Sequence, residues 1–240
     1  IEDGGKKTEH PGMVLIKPGS FKMGSDKGLP SERPVHQVEV NEFWIDKCEV
    51  TNYQFLHVVA KYTFLRKSTF PSKYHDGDYL LTWTDDLKPE IGSYLKPVVY
   101  ISWYAARHFC NYLGKRLLSE AEWELATRAG NENAYSIDGG VDYLSEYAWF
   151  QKNSGGKIHI TAQKLGNPNG LFDLHGNVWE WVYDWFGVYP NLKSSNPQGP
   201  EIGKYRILRG GSFLDSAKYL RSTMRRDSLP TSTLPNVGFR

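Results

Sequence analysis

The chain has 240 residues, 40% of them hydrophobic and 14% aromatic, which is ample for a globular core; with 23% charged residues it is not a disordered chain. A formal net charge of +2 gives no reason to expect nucleic acid or an anionic membrane as partner. No apolar run approaches the length that crosses a bilayer, so no membrane insertion of this chain is expected.

Ile1 stands where a start methionine would, as expected of a processed or partial chain whose targeting signal is out of view. Two cysteines, Cys48 and Cys110, allow one disulfide but not a disulfide-built scaffold.

In chain order, Gly12–Ser25 reads as two short strands joined by a turn at Pro18-Gly19. His36–Asp46 alternates Val38 and Val40 with polar neighbours, a further strand. A first helix opens with a capping box of Thr51 and Gln54 and carries Phe55, Val58, Val59 and Tyr62 on one face. An aromatic-rich loop then runs to about Leu95. A second helix starts at Ser102, shows Trp103, Ala106, Cys110 and Leu113 on one stripe, and stops at Gly114. The third begins with a capping box of Ser119 and Glu122, buries Trp123 and Ala126, and stops at Gly130. Beyond it Gly, Asn and Pro recur between short apolar runs, the pattern of loops and short strands. The reading is one α+β domain over residues 1–240, with 1–11 as a flexible lead-in. Irregular backbone on this scale needs partners for its N–H and C=O groups, from aromatics, side-chain amides or a bound cation.

Within Gly176–Gly187, Trp179, Trp181, Tyr183 and Trp185 recur with period two, so Glu180 falls on the opposite strand face with Val182 and Asp184. A buried carboxylate is paired, hydrogen-bonded or metal-bound. Asp173 and nearby carbonyls beside Glu180 suit a hard cation such as calcium. An ion pair between Glu180 and an arginine is the alternative.

The blocks "GMVLIKPGSFKMGS", "FWIDKCEVTNYQF", "PVVYISWYAARHFCNYLGKRLLSEAEWELATRAG", "GLFDLHGNVWEWVYDWFG", "RILRGGSF" and "NVGFR" resemble the formylglycine-generating enzyme, or sulfatase-modifying factor, family in its own order. The resemblance covers nearly the whole chain. It implies a loop-rich domain related to the C-type lectin fold, with structural calcium whose matching ligands are Asp173, the carbonyls of Gly176 and Val178, and Glu180. It also implies a bacterial protein in a secreted, periplasmic or surface-anchored setting.

Formylglycine-generating members oxidise a cysteine with a copper ion held by two cysteines after the "GGS" block. The matching positions here are Asp215 and Leu220. Monovalent copper needs sulfur, so neither copper nor that reaction is expected. The cysteine that would pair with Cys110 in disulfide-bearing relatives is absent from this sequence, so Cys110 is expected to be free and buried. The seven histidines show no H-x-H or H-E-x-x-H spacing, and there is no G-x-S-x-G elbow. Ser212 is expected to make a turn hydrogen bond.

By family position the substrate groove is lined by Trp179, Ser212, Asp215, Tyr219, Leu220 and Arg226, and Phe213, Lys218 and Arg221 of the same segment are taken with them as the binding groove. Arg209–Arg240 carries Arg209, Lys218, Arg221, Arg225, Arg226 and Arg240 against Asp215 and Asp227, which suits a protein or small anionic ligand. Pairing of Arg209 and Arg240 with core acids is the plainer alternative. The first functional reading is a ligand- or protein-binding module acting through this groove. Retroelement-diversified lectin-like variable proteins are similar, with the variable segment matching Phe213–Pro235. The alternatives are a maturation oxidoreductase of the siderophore-chromophore type, with Asp215 as general base, and an accessory subunit of an envelope or signalling assembly.

Overall fold

A computed structural model describes residues 10–137 and 139–240, so the expected lead-in lies almost wholly outside the described residues. The strands are β1 (Met13–Ile16), β2 (Gly19–Met23), β3 (His36–Val40), β4 (Phe43–Asp46), β5 (Trp179–Trp185), β6 (Ser194–Ser195), β7 (Arg206–Arg209), β8 (Arg226–Ser228) and β9 (Val237–Gly238). The helices are α1 (Asn52–Lys61), α2 (Trp103–Tyr112), α3 (Glu120–Arg128) and the single turn α4 (Leu144–Tyr147).

The three long helices start where their caps predict. Thr51 accepts from the Gln54 N–H and Ser119 from the Glu122 N–H, each in a full capping box, while Ser102 accepts from the Ala105 N–H. On α3, Glu120 and Glu124 are both buried and each pairs with Arg209.

Strand pairing departs from chain order. β1 pairs with β4 and β2 with β3, so the strands flanking Pro18 belong to different sheets rather than to one hairpin. The stretch expected as one strand from His36 to Asp46 is broken at Asn41-Glu42 into β3 and β4, which lets one segment serve two sheets. The third sheet runs β8-β7-β5-β9 and carries the site.

Its central strand β5 separates two cores. On one side Trp179 and Trp181 pack with Phe55, Trp83, Trp103 and Phe109. On the other Val182 packs with Trp123, Ala126 and Ile207. The period-two alternation of the sequence is thus a strand buried on both faces, not one with a wet side. The long loop between α1 and α2 is held as irregular backbone requires. Asn52 donates to the carbonyls of Ser93, Lys96 and Pro97 and accepts the Trp83 indole N–H at 2.8 Å.

Candidate functional site

Glu180 sits at 1% exposure on the α3 side of β5. Its Oε1 accepts from Arg240 Nη2 at 2.5 Å, and its Oε2 accepts from Arg240 Nε at 2.8 Å and from Trp123 Nε1 at 2.8 Å. The remaining Arg240 donors reach the carbonyls of Phe172, Asp46 and Lys47. Burial opposes the Arg240 charge, yet the fork on Glu180 holds its pKa above the ordinary value. The acid among tryptophans therefore straps β5 to α3 and to the β9 end of the chain.

Both Glu180 oxygens are thus engaged by an arginine and an indole, the ion pair that is the alternative to calcium. Asp173 is different. It is 3% exposed with φ 61°, its Oδ2 accepts from the Ala162 N–H at 2.7 Å, and its Oδ1 is buried without a partner. Burial raises its pKa to about 6, opposed by the Ala162 hydrogen bond and the Arg240 charge. Nearby Glu49 accepts from the Val178 N–H and from Asn177 Nδ2, and burial, then the charges of Asp173 and Glu180, push it well above the carboxylate range. Gly176 has φ 114°, and a Cβ there would meet the Trp149 carbonyl oxygen at 2.3 Å, so only glycine fits this turn. Among the described residues no three His, Cys, Asp or Glu side chains converge as a metal cage. The unpartnered Oδ1 of Asp173 leaves one buried oxygen for a cation, whereas both oxygens of Glu180 already accept hydrogen bonds.

The groove residues divide into two sets. Gly210 and Gly211, at φ 99° and 79°, turn the chain out of β7 into Ser212. Ser212 Oγ donates to Asp215 Oδ2 and accepts from the Leu214 N–H, the expected turn bond. Trp179 Nε1 donates to the same Asp215 oxygen at 2.9 Å, and Asn236 Nδ2 donates to Ser212 Oγ at 3.0 Å. The Arg226 guanidinium lies 5.8 Å from the Trp179 ring and the Lys218 ammonium 4.8 Å from the Tyr219 ring. Trp179 and Ser212 are themselves buried and hold Asp215 from beneath, so Asp215, Tyr219, Lys218 and Arg226 are the residues of this set that reach solvent.

Phe213, Leu220 and Arg221 do not line it. Phe213 is buried, with its carbonyl held by Ser154 Oγ at 2.8 Å. Leu220 is fully buried among Tyr135, Ile137, Leu144 and Phe150. Its carbonyl accepts at 2.7 Å from Nδ1 of His175, a residue the sequence did not single out. Burial lowers the His175 pKa to about 4, so the imidazole is neutral and its Nε2 accepts from Ser136. Arg221 forks onto Glu32 at 2.6 and 2.7 Å.

The cationic excess is likewise mostly internal. Arg209 holds Glu124 at 2.5 Å and Glu120 at 3.2 Å, Arg225 holds Glu120 at 2.6 Å, and Arg221 and Arg240 are paired as above. Lys218 and Arg226 alone of the six remain on the surface, so the anionic-ligand expectation shrinks to two cations beside Asp215 and Asp227. Cys48 and Cys110 are both free thiols, and Cys110 is buried on α2. Burial pushes their pKa values to about 11 and about 12. Cys110 lines a different cavity with Trp44, Phe109 and Lys115.

Three small sheets, long irregular connections and a glycine turn presenting Ser212 and Asp215 define a loop-rich α+β domain of C-type lectin-like build. The profile of the sulfatase-modifying factor enzyme 1-like domain matches residues 3–240, and the chain belongs to that family. It is 33% identical to the serine/threonine-protein kinase Pkn1 of Chlamydia caviae, over 95% of this chain but 37% of that protein. The chain thus spans little more than a third of those relatives' length. It is 32% identical to the formylglycine-generating enzyme of Streptomyces coelicolor, over 95% of this chain and 88% of that one. Among solved structures, PvdO from Pseudomonas aeruginosa superimposes with a TM-score of 0.80 at 26% identity, covering 95% of this chain and 92% of that chain. Treponema denticola variable protein 1 superimposes at 0.77 with 25% identity and the same coverages.

Proposed function

We propose that this domain is a recognition module that binds a peptide or protein over the surface centred on Asp215, and that it generates no formylglycine. The observation that carries the reading is the chemistry at the two positions matched to the copper cysteines. One is a carboxylate tied to Trp179 and Ser212, and the other is a leucine with no exposed surface. Neither offers the sulfur that monovalent copper requires. The same segment exposes Leu214 and Leu229 beside Lys218, Arg226 and Asp227, a mix of apolar and charged side chains that suits a protein ligand. Likeness to a variable protein, and to the part of a longer kinase chain that the Pkn1 relatives share with it, supports a module that recognises rather than reacts.

The test has two arms. Incubation with a sulfatase-derived cysteine peptide, oxygen and copper is expected to leave the peptide unchanged by mass spectrometry; a converted cysteine overturns the reading. Peptides selected from a displayed library are expected to lose binding to the Arg226→Glu and Asp215→Arg proteins. Selection that yields only binders indifferent to both changes would place recognition elsewhere.

Calcium, implied by the family resemblance, is proposed at Asp173, with Glu180 outside its ligand set. Bound there it would neutralise a buried carboxylate and tie the 173–178 turn to its surroundings. A maturation activity with Asp215 as general base is the second reading, favoured by the Ser212 hydroxyl bonded to that carboxylate.

A further inference from the structure

Arg209, Arg221, Arg225 and Arg240 each hold a carboxylate. Arg206, the first residue of β7, holds none among the described residues. It is 7% exposed, and its guanidinium carbon lies 3.4 Å from the Trp185 ring and 3.7 Å from the Trp103 ring. The two indoles are within 19° of parallel with centroids 6.4 Å apart, so the cation is clamped flat between them. One terminal nitrogen, Nη1, donates to the Tyr183 carbonyl, while Nε is buried with no acceptor.

A buried charge ordinarily has a partner. Rings give a guanidinium a face but no acceptor for its edge, and burial draws the Arg206 pKa down to about 10. Arg107, whose guanidinium lies 5.5 Å from the far ring Trp103, adds like charge. Beside Arg206 opens a cavity of about 300 Å³ lined by Tyr183, Trp185, Gln198, Pro200 and Glu201. That volume sits at the lower end of small-molecule sites.

The geometry points to a second binding site in this cavity, separate from the Asp215 surface, for a small flat monocarboxylate anchored on Arg206. Each element of the cavity limits the ligand. Nη1 is engaged and Nε has no exposed surface, which leaves Nη2 as the donor for a single carboxylate. Tyr183 and Pro200 offer flat walls to an aromatic or cyclic body. Glu201 is exposed and is the one carboxylate in the lining, and it disfavours a second negative charge on the ligand. Trp179 and Trp185 mark opposite ends of β5, so the two sites can be occupied independently.

Benzoate is the probe, titrated into the whole protein and followed by ligand-observed NMR and calorimetry. Saturable binding is expected. Benzamide, the neutral isostere, and the Arg206→Met protein are each expected to weaken it by about tenfold, the worth of one charge-assisted pair. Benzyl phosphate is expected to bind less well than benzoate. Glu201→Gln, a change at the exposed rim, is expected to tighten benzoate two- to threefold and keeps the test readable should Arg206→Met fold poorly. No saturation by about 20 mM, equal binding of benzamide, or benzoate affinity unmoved by Glu201→Gln would overturn the site. Arg226→Glu is expected to leave benzoate binding unchanged, which separates failure here from failure of the Asp215 reading.

Discussion

Replacing Glu180 by glutamine keeps the shape of the side chain and removes the charge that Arg240 faces. The new amide still offers one oxygen to Arg240 Nε and Trp123 Nε1, but its NH₂ then stands against Arg240 Nη2, donor against donor. Arg240, 4% exposed, is left with a buried charge and only neutral acceptors, that amide oxygen and the carbonyls of Phe172, Asp46 and Lys47. Removing one partner of such a pair costs about 3–5 kcal/mol. In a domain of this size each kcal/mol moves Tm by roughly 2–4 °C, so the melting point should fall by about 6–20 °C. Adding Arg240→Met removes the stranded charge, so the double variant should be more stable than the sum of the two single losses. A coupling of about 2–4 kcal/mol is expected in urea denaturation, each variant measured with calcium and with chelator. A Glu180→Gln loss below about 1 kcal/mol, together with abolished stabilisation by calcium, would refute the reasoning. Glu180 would then be a metal ligand and Arg240 a bystander.

Three further outcomes follow from the same geometry. With calcium about a hundredfold above its Kd, chelation should remove about 3 kcal/mol, or roughly 5–10 °C in Tm; Asp173→Asn should abolish that response and Glu180→Gln should keep it, and a reversed pattern would move the cation to Glu180. The Asp184 pKa is raised to about 8 by burial and then by Glu120, so its contribution is intact below about pH 4 and is lost as pH rises through 8. Asp184→Asn retains an acceptor for the Glu120 N–H, and its Tm relative to the parent should climb by several degrees between pH 5 and 9; a flat difference would mean Asp184 is ionised throughout. Gly211→Ala places a Cβ 2.9 Å from the Tyr219 carbonyl oxygen at φ 79°, and should cost about 2–3 kcal/mol by thermal melt; an unchanged melt would show that the Tyr219–Leu220 turn can yield.

The parts legible in the sequence are those whose partners are close along the chain. The capping boxes at Thr51 and Ser119 fixed two helix starts because each bond spans three residues. Period two in β5 told which side chains share a face, but not that both faces are buried, since that depends on α2 and α3. Pairing of β1 with β4 across β2 and β3 leaves no local trace, so Pro18-Gly19 reads as a hairpin that does not form. Site assignments failed for the same reason. Arg221 looks like a groove cation until Glu32, 189 positions away, takes both its terminal nitrogens. Glu180 illustrates the limit well: its burial called for an arginine or a cation, and it is the fold that brings Arg240 to it. Arg206 carried no signal at all, because its clamp is built from α2 and the far end of β5.

The backbone from Arg221 to Arg225 is gripped from beneath. Arg209 donates to the carbonyls of Ser222 and Thr223, the Ser222 N–H reaches the Ala134 carbonyl, and Arg225 reaches those of Ser31 and Gly187. None of these fastenings uses an outward-pointing side chain of its neighbours. Positions 214, 218, 226, 227 and 229 can therefore change identity without loosening the frame, and libraries randomised there should yield mostly folded protein. A chassis whose bolts are all on the inside can carry many different faces.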